Sequence, residues 1–330
     1  DINMTLNNTY STNKYLNSKQ LKLFDFGIQR QNNNYLSEIS KNEKINLTHN
    51  MMLDFVLTAY NYAKLTFNKY SSHYSKKKYT QPQLFAIIAY KIYNKYDYRT
   101  TIDNLNVSTK LQKALRLKTI PHHTTIQKFF KRIETKQINN INRLLLQYFP
   151  VKECYFSLDG TGYTNSYSDI YYNNRTNKTR RQYIKNHITI DSKYMLIRHY
   201  NALKGPKFDT VFAISAIRAI KKYKPRYILA DRAYDSEIIK KTIVEETTAL
   251  PQIPVKTRQK SGKYRSKCRT IFLKPVYNFR NQVECVNSIQ KRRFNGINNS
   301  RSTKLQIKET KLKNVFYTVS YTHLRAHETE

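Results

Sequence analysis

Apolar residues recur three and four apart through the first part of the chain and fall into short unbroken runs further on. That change of period divides the sequence before any chemistry is considered. MMLDFVLTAYNYAKLTF (51–67), QLFAIIAYKIY (83–93) and INNINRLLLQYF (138–149) each keep the helical interval, so we expect a small all-α region over residues 48–150. Its most apolar stretch, residues 84–93, is short and flanked by Lys and Tyr, which predicts a buried helix and not a membrane span. In PHHTTIQKFFKR (121–132) Thr124 is placed to cap a helix with Ile126, Phe129 and Phe130 inward and Gln127, Lys128, Lys131 and Arg132 outward. Such a basic face either docks on a DNA backbone or groove, or is the solvated side of an ordinary amphipathic helix. Residues 1–47, with NNNY and KNEKIN, are polar and basic and predict a loosely ordered arm.

From Cys154 the texture changes. CYFSLDGTG is an apolar run that ends in a carboxylate and glycines, as a buried strand entering a loop does. HITI and YMLIRHY flank Asp191, Ser192 and Lys193 and predict a β-hairpin. DTVFAISAIRAIKKY is helical with Asp209 at its cap, RYILADRAY is a strand, and DSEIIKKTIVEE is a helix that Asp235 would cap. TALPQIPVK reads as a strand. The order β, hairpin, α, β, α, β, α predicts an α/β fold, a mixed sheet with helices on its faces, preceded by the all-α region.

Charge narrows the class of partner. Lys and Arg number 59 against 22 Asp and Glu, for a net charge of +37 spread along the whole chain. This favours a polyanion, through phosphate neutralisation and counterion release, and leaves a ribosome-associated or merely alkaline protein as the alternative. No run of eighteen apolar residues and no charged-then-apolar leader is present, so the expected location is the cytoplasm, without a membrane partner. Cys154, Cys268 and Cys285 lie far apart with no metal-ligand spacing, which argues against zinc and disulfides.

Carboxylates are scarce in this basic chain, which makes the placement of a few of them informative. Asp159 and Asp231 each stand just past the apolar part of a predicted strand, where adjacent strands would bring both to one edge of the sheet. Hard cations such as Mg²⁺ take oxygen ligands, and clustered acids without a cation are costly; an Asp standing alone in such a place is more often a turn residue or cap than a ligand. On the helix predicted from Tyr277, a turn of 100° per residue puts Arg280 at about 300°, Glu284 at about 340° and Lys291 at about 320°. All share one face, either a carboxylate beside phosphate-binding cations or a surface helix with salt-bridge spacing.

Tyr277, Arg280, Glu284 and Lys291 reproduce the pattern Y-(2)-R-(3)-E-(6)-K, and on it the chain resembles the insertion-sequence-four group of DDE transposases. SLDGTGY and LADRAYDSE look like that superfamily's first and second acid blocks, GPKFDT like the stretch between them, and the likeness covers residues 48–318. The resemblance implies a ribonuclease-H-like catalytic domain over residues 151–318 in which Asp159, Asp231 and Glu284 bind two Mg²⁺ ions, or Mn²⁺ in their place. It implies water attack at the transposon ends, then attack by the freed 3′-hydroxyl on target DNA, with no covalent enzyme intermediate. Tyr277, Arg280 and Lys291 would contact the transposon end, and a homodimer would hold paired double-stranded ends. A DNA-binding protein descended from an inactive transposase, or a structure-specific nuclease, would share these features. Asp169 and Asp191 read as loop and turn residues and His187 as a strand residue outside the chemistry, whereas Arg175, Arg180, Arg181, Lys185 and the cations of 256–269 either grip DNA or line solvated loops. Residues 319–330, VSYTHLRAHETE, resemble the translation of a sequencing adaptor and would then be non-native.

Overall fold

The structure is a computed structural model; it describes residues 50–147, 149, 151, 155–165, 175, 183–257 and 261–327, so the N-terminal arm, Cys154, Asp169, Arg180 and Arg181 fall outside it. The helical period of the first region is realised as six helices: α1 Met51–Thr66, α2 Gln81–Tyr93, α3 Tyr98–Val107, α4 Thr109–Ala114, α5 His123–Arg132 and α6 Thr135–Gln147. Side chains satisfy the free amides at their starts. Asn50 accepts from the Leu53 amide, Thr80 and Gln83 form a capping box on α2, and Asp97 accepts from the Thr100 amide. At α5 the cap is His122, whose ring accepts from the Thr124 amide, and not Thr124.

The second region is a mixed sheet in the order β3-β2-β1-β4-β5, built from β1 Tyr155–Asn165, β2 Tyr183–Asp191, β3 Leu196–Lys204, β4 Tyr227–Leu229 and β5 Leu250–Gln252. β1, β2 and β3 are antiparallel, as the predicted hairpin requires, while β4 and β5 run parallel to β1. Parallel neighbours need crossovers, and α7 Thr210–Ile220 and α8 Glu237–Glu246 supply them. Beyond β5 come α9 Lys263–Thr270, α10 Lys274–Tyr277, a single 3₁₀ turn Asn278–Arg280, α11 Asn281–Phe294 and α12 Thr303–His327. A short β6, Ile297–Asn298, pairs with the far end of β1.

The two faces of the sheet pack into two different cores. Phe156 and Leu158 join Ala213, Ala216, Ile217 and Ile220 of α7 and Ile239 and Ile243 of α8. The opposite face of the sheet, through Ile188, Ile190 and Ile197, packs with Phe55, Phe85 and Phe129 of the N-terminal helices, Val283 and Val286 of α11, and Leu312, Val315 and Phe316 of α12. At roughly 1.5–3 kcal/mol for each fully buried large apolar side chain, this shared core is what holds those helices to the sheet. Lys313 of α12 donates from its buried amine to the Asn295 and Ile297 carbonyls at 3.1 and 2.8 Å, which fixes the turn after α11. α12 continues through Val319 and Ser320, both buried.

Candidate active site

The last paired residues of β1 and β4 are Ser157 and Leu229. Asp159 and Asp231 each follow by two, past Leu158 and Ala230, which are buried in the α7–α8 core. Asp231 keeps an extended backbone (φ −72°, ψ 176°), so alternation carries both carboxylates to the other face at one level, on strands about 4.8 Å apart. Asp231 Oδ1 accepts from the Ala233 amide at 2.9 Å, and Asp159 Oδ2 accepts from Asn287 Nδ2 of α11 at 2.8 Å. The Asp159 carboxyl is pushed up to about 6, chiefly by burial and also by Asp209 and Asp231, against the lowering pull of the Gly160 amide and Arg280. A carboxylate that burial and neighbouring acids make costly to ionise is suited to a cation.

The third acid comes from above the sheet. The helix predicted from Tyr277 is in fact α10, the 3₁₀ turn and α11, whose junctions keep right-handed helical dihedrals, so the four signature side chains stay on one side. Three of the four border the two aspartates. Arg280 and Asp159 interact electrostatically, as do Lys291 and Asp159, and the Tyr277 phenol, pushed up chiefly by burial, senses Asp231 and Glu284. Lys291 Nζ also stands 5.9 Å from the Tyr163 ring centroid. Glu284 is the exception in one respect: its side chain is 53% exposed and ion-paired to Arg280 one turn earlier. Among the described residues no three His, Cys, Asp or Glu are grouped closely enough to hold a metal. An i,i+4 ion pair on a helix is worth about 0.2–0.5 kcal/mol, so the Arg280 contact holds the half-exposed Glu284 only weakly. Carboxylate oxygens are the donors that hard divalent ions take, and Asp159 and Asp231 supply them on neighbouring strands.

Beneath the acids the sheet is closed by polar contacts that sequence reasoning missed. Asp209 occupies the N-cap position of α7 but makes no capping hydrogen bond. Its carboxylate instead meets Lys185 Nζ at 2.8 Å and lies where a Cβ on Gly160 would be, 1.9 Å from that position. Only glycine leaves room for the pair beside Asp159. Lys185 is thereby engaged inside the protein and unavailable as a free DNA contact. Opposite Gly160 on β2, His187 stacks on Phe212 at 5.3 Å and shares a 2.9 Å hydrogen bond with the Tyr234 hydroxyl. Burial, with His199 and Lys185, holds that imidazole neutral, down to about 3. Asp235 does not cap α8, whose N-cap position is Ser236. It is buried, accepting from Lys240 Nζ at 2.6 Å, Arg265 Nε at 3.2 Å and the Lys256 amide at 2.7 Å, so the segment after Asp231 is tied to the start of α9. Asp191 closes the hairpin turn and pairs with buried Arg198 at 3.1 Å.

Ile126, Phe129 and Phe130 of α5 are buried and Lys128, Lys131 and Arg132 are exposed, as expected. α5 packs against α2 and α3, and Lys308 of α12 donates to its last carbonyls at 3.1 and 2.9 Å. Arg175 is exposed. Among the described residues no helix is long and apolar enough to cross a membrane.

A mixed sheet in this order, flanked by helices, with acids at the neighbouring central strands β1 and β4, is of the ribonuclease-H-like class. Residues 151–317, just over half of the chain, match the family model of the transposase DDE domain, and the chain belongs to that family. The matched span runs from just before β1 into α12 and contains all three acids. Membership makes the protein a transposase, with DNA as its substrate. Neither the curated proteins nor the solved structures provide a match to the chain.

Proposed function

We propose that the protein is a metal-dependent transposase of the insertion-sequence-four group, which cleaves DNA at the ends of its element and joins the freed 3′-hydroxyl to target DNA. The observation that carries this reading is the in-step placement of Asp159 and Asp231 under the face that presents Tyr277, Arg280, Glu284 and Lys291. Asp159, Asp231 and the released Glu284 would hold two Mg²⁺ or Mn²⁺ ions. Bound there, such ions activate an attacking oxygen and stabilise a leaving one in phosphodiester displacement. Arg280, freed by the same movement, and Lys291 hold phosphates beside the scissile bond, and Tyr277 packs against the transposon end. The helical region 48–150 adds phosphate contacts from Lys128, Lys131 and Arg132, the region 151–318 carries the chemistry, and two copies act on paired ends in a prokaryotic cytoplasm.

Purified protein with Mg²⁺ or Mn²⁺ and its own element's ends should give nicked and joined DNA. Glu284→Gln should bind the same ends and give neither product; unchanged products from that variant overturn the reading. The Arg280–Glu284 pair favours one competing reading, a DNA-binding protein without catalysis, which predicts end binding that ignores metal. Cutting without joining would identify a nuclease instead.

A further inference from the structure

Asn287 lies one helical turn beyond Glu284 on α11 and is 6% exposed. Its amide nitrogen donates to Asp159 Oδ2 at 2.8 Å, so the helix of the third acid touches the strand of the first at the carboxylate itself. The amide cannot be turned over, because its carbonyl would then face a carboxylate oxygen. Its Oδ1 is fixed by that contact, yet it is buried and has no hydrogen-bond partner among the described residues. Leaving a buried acceptor unsatisfied forfeits its hydration with nothing in return, a net cost to the fold. A plain anchor between helix and strand would not need that cost. Gln290, the next polar residue on the same side of α11, spends both ends of its amide, accepting from the Tyr163 hydroxyl at 3.2 Å and donating to Asn314 Oδ1 at 2.9 Å.

We propose that Asn287 is the positioning residue of Asp159: it holds one carboxylate oxygen so that the other faces the acid cluster, and it keeps its own carbonyl free for a donor that enters with the loaded site. This rests on the metal-dependent reading above. A group that orients a metal-binding side chain typically changes metal affinity by 10- to 100-fold when removed.

The test is a titration of the full chain with Mn²⁺ alone, free Mn²⁺ being read by electron paramagnetic resonance, without DNA and without turnover. Wild-type protein binds, Asp159→Asn does not, and Asn287→Leu, which keeps the volume, binds roughly ten-fold or more weaker at an unchanged metal-free melting temperature. Asn287→Ser gives the same loosening and serves if the leucine variant does not fold. Wild-type affinity in the folded Asn287 variant, with binding lost in Asp159→Asn, overturns this inference and leaves the metal-dependent reading standing. Failure of wild-type protein to bind Mn²⁺, or unchanged binding by Asp159→Asn, overturns both.

Discussion

Asp159 and Asp231 are placed by backbone and Glu284 by a side chain, and the difference sets how each can fail. The two aspartates stand in step because β1 and β4 pair in register, and moving one relative to the other means breaking sheet hydrogen bonds. Glu284 stands on a helix packed over them, half exposed and held by an ion pair with Arg280. On the proposed reading two of the three acids are built in advance, and the third is held by an ion pair worth tenths of a kcal/mol. Such a site would keep its geometry without ligand and still admit a bulky, charged substrate.

The largest test of that contrast compares the acids directly. Asp231→Asn should lower strand joining by about three orders of magnitude, or ~4 kcal/mol, whereas Glu284→Asp, which keeps a carboxylate on a side chain free to move, should keep measurable product. Equal losses in a gel assay would break the distinction. Next comes the frame around Asp231. Lys240→Met leaves buried Asp235 short of its closest cation and should destabilise the protein by about 4 kcal/mol in urea unfolding. Burial alone pushes the Asp235 carboxyl up, and Lys240, the Lys256 amide and Arg265 more than offset it, so it titrates below the usual range.

On the Asp159 side, Gly160→Ala would drive a methyl group into Asp209 and Lys185 and should cost about 3 kcal/mol, with melting temperature as the measurement. A smaller effect belongs to pH. His187 and His199 are held neutral by burial, down to about 3 and about 4 from the ordinary 6.5. Their depressed folded values mean that the unfolded chain takes up protons first. Stability is full above pH 6.5 and falls as pH drops toward those values, by roughly 2 kcal/mol per histidine at pH 5. His199→Phe should flatten the melting temperature between pH 7 and 5, and an unchanged slope would exclude this origin. The smallest change is expected at the mobile acid: Arg280→Ala should alter stability by less than about 0.5 kcal/mol while weakening DNA binding and its salt dependence. A large loss of stability there would show that Glu284 is not free to move.

Much of this was legible along the chain. Hydrophobic period separated the helical region from the sheet region, carboxylates after apolar runs marked Asp159 and Asp231, and 100° steps put Arg280, Glu284 and Lys291 on one side. These features depend on neighbours within a turn or a strand, so a linear pattern carries them. Other residues were assigned by local rules and used otherwise. Asp209 and Asp235 stand where caps belong, but their carboxylates are taken by Lys185 and by Lys240 and Arg265. Lys185 belongs to a basic stretch and faces inward. Asn287 had no visible signal except its three-residue distance from Glu284, since an asparagine on a helix has no characteristic spacing from a partner 128 positions away.

The order of residues by itself determined where helical period gives way to strands, that each aspartate follows an apolar run, and that the chain is strongly cationic; that β1 continues through Asp159 and the glycines, where a loop was expected, it did not. Tertiary structure alone decided that β1 pairs in parallel with β4, so that two aspartates stand level, that α11 lies across them, and which charges are used up inside. The physical reason is range: secondary structure follows from hydrogen bonds and packing within a few residues, whereas a buried charge or amide is satisfied by whatever the fold brings next to it.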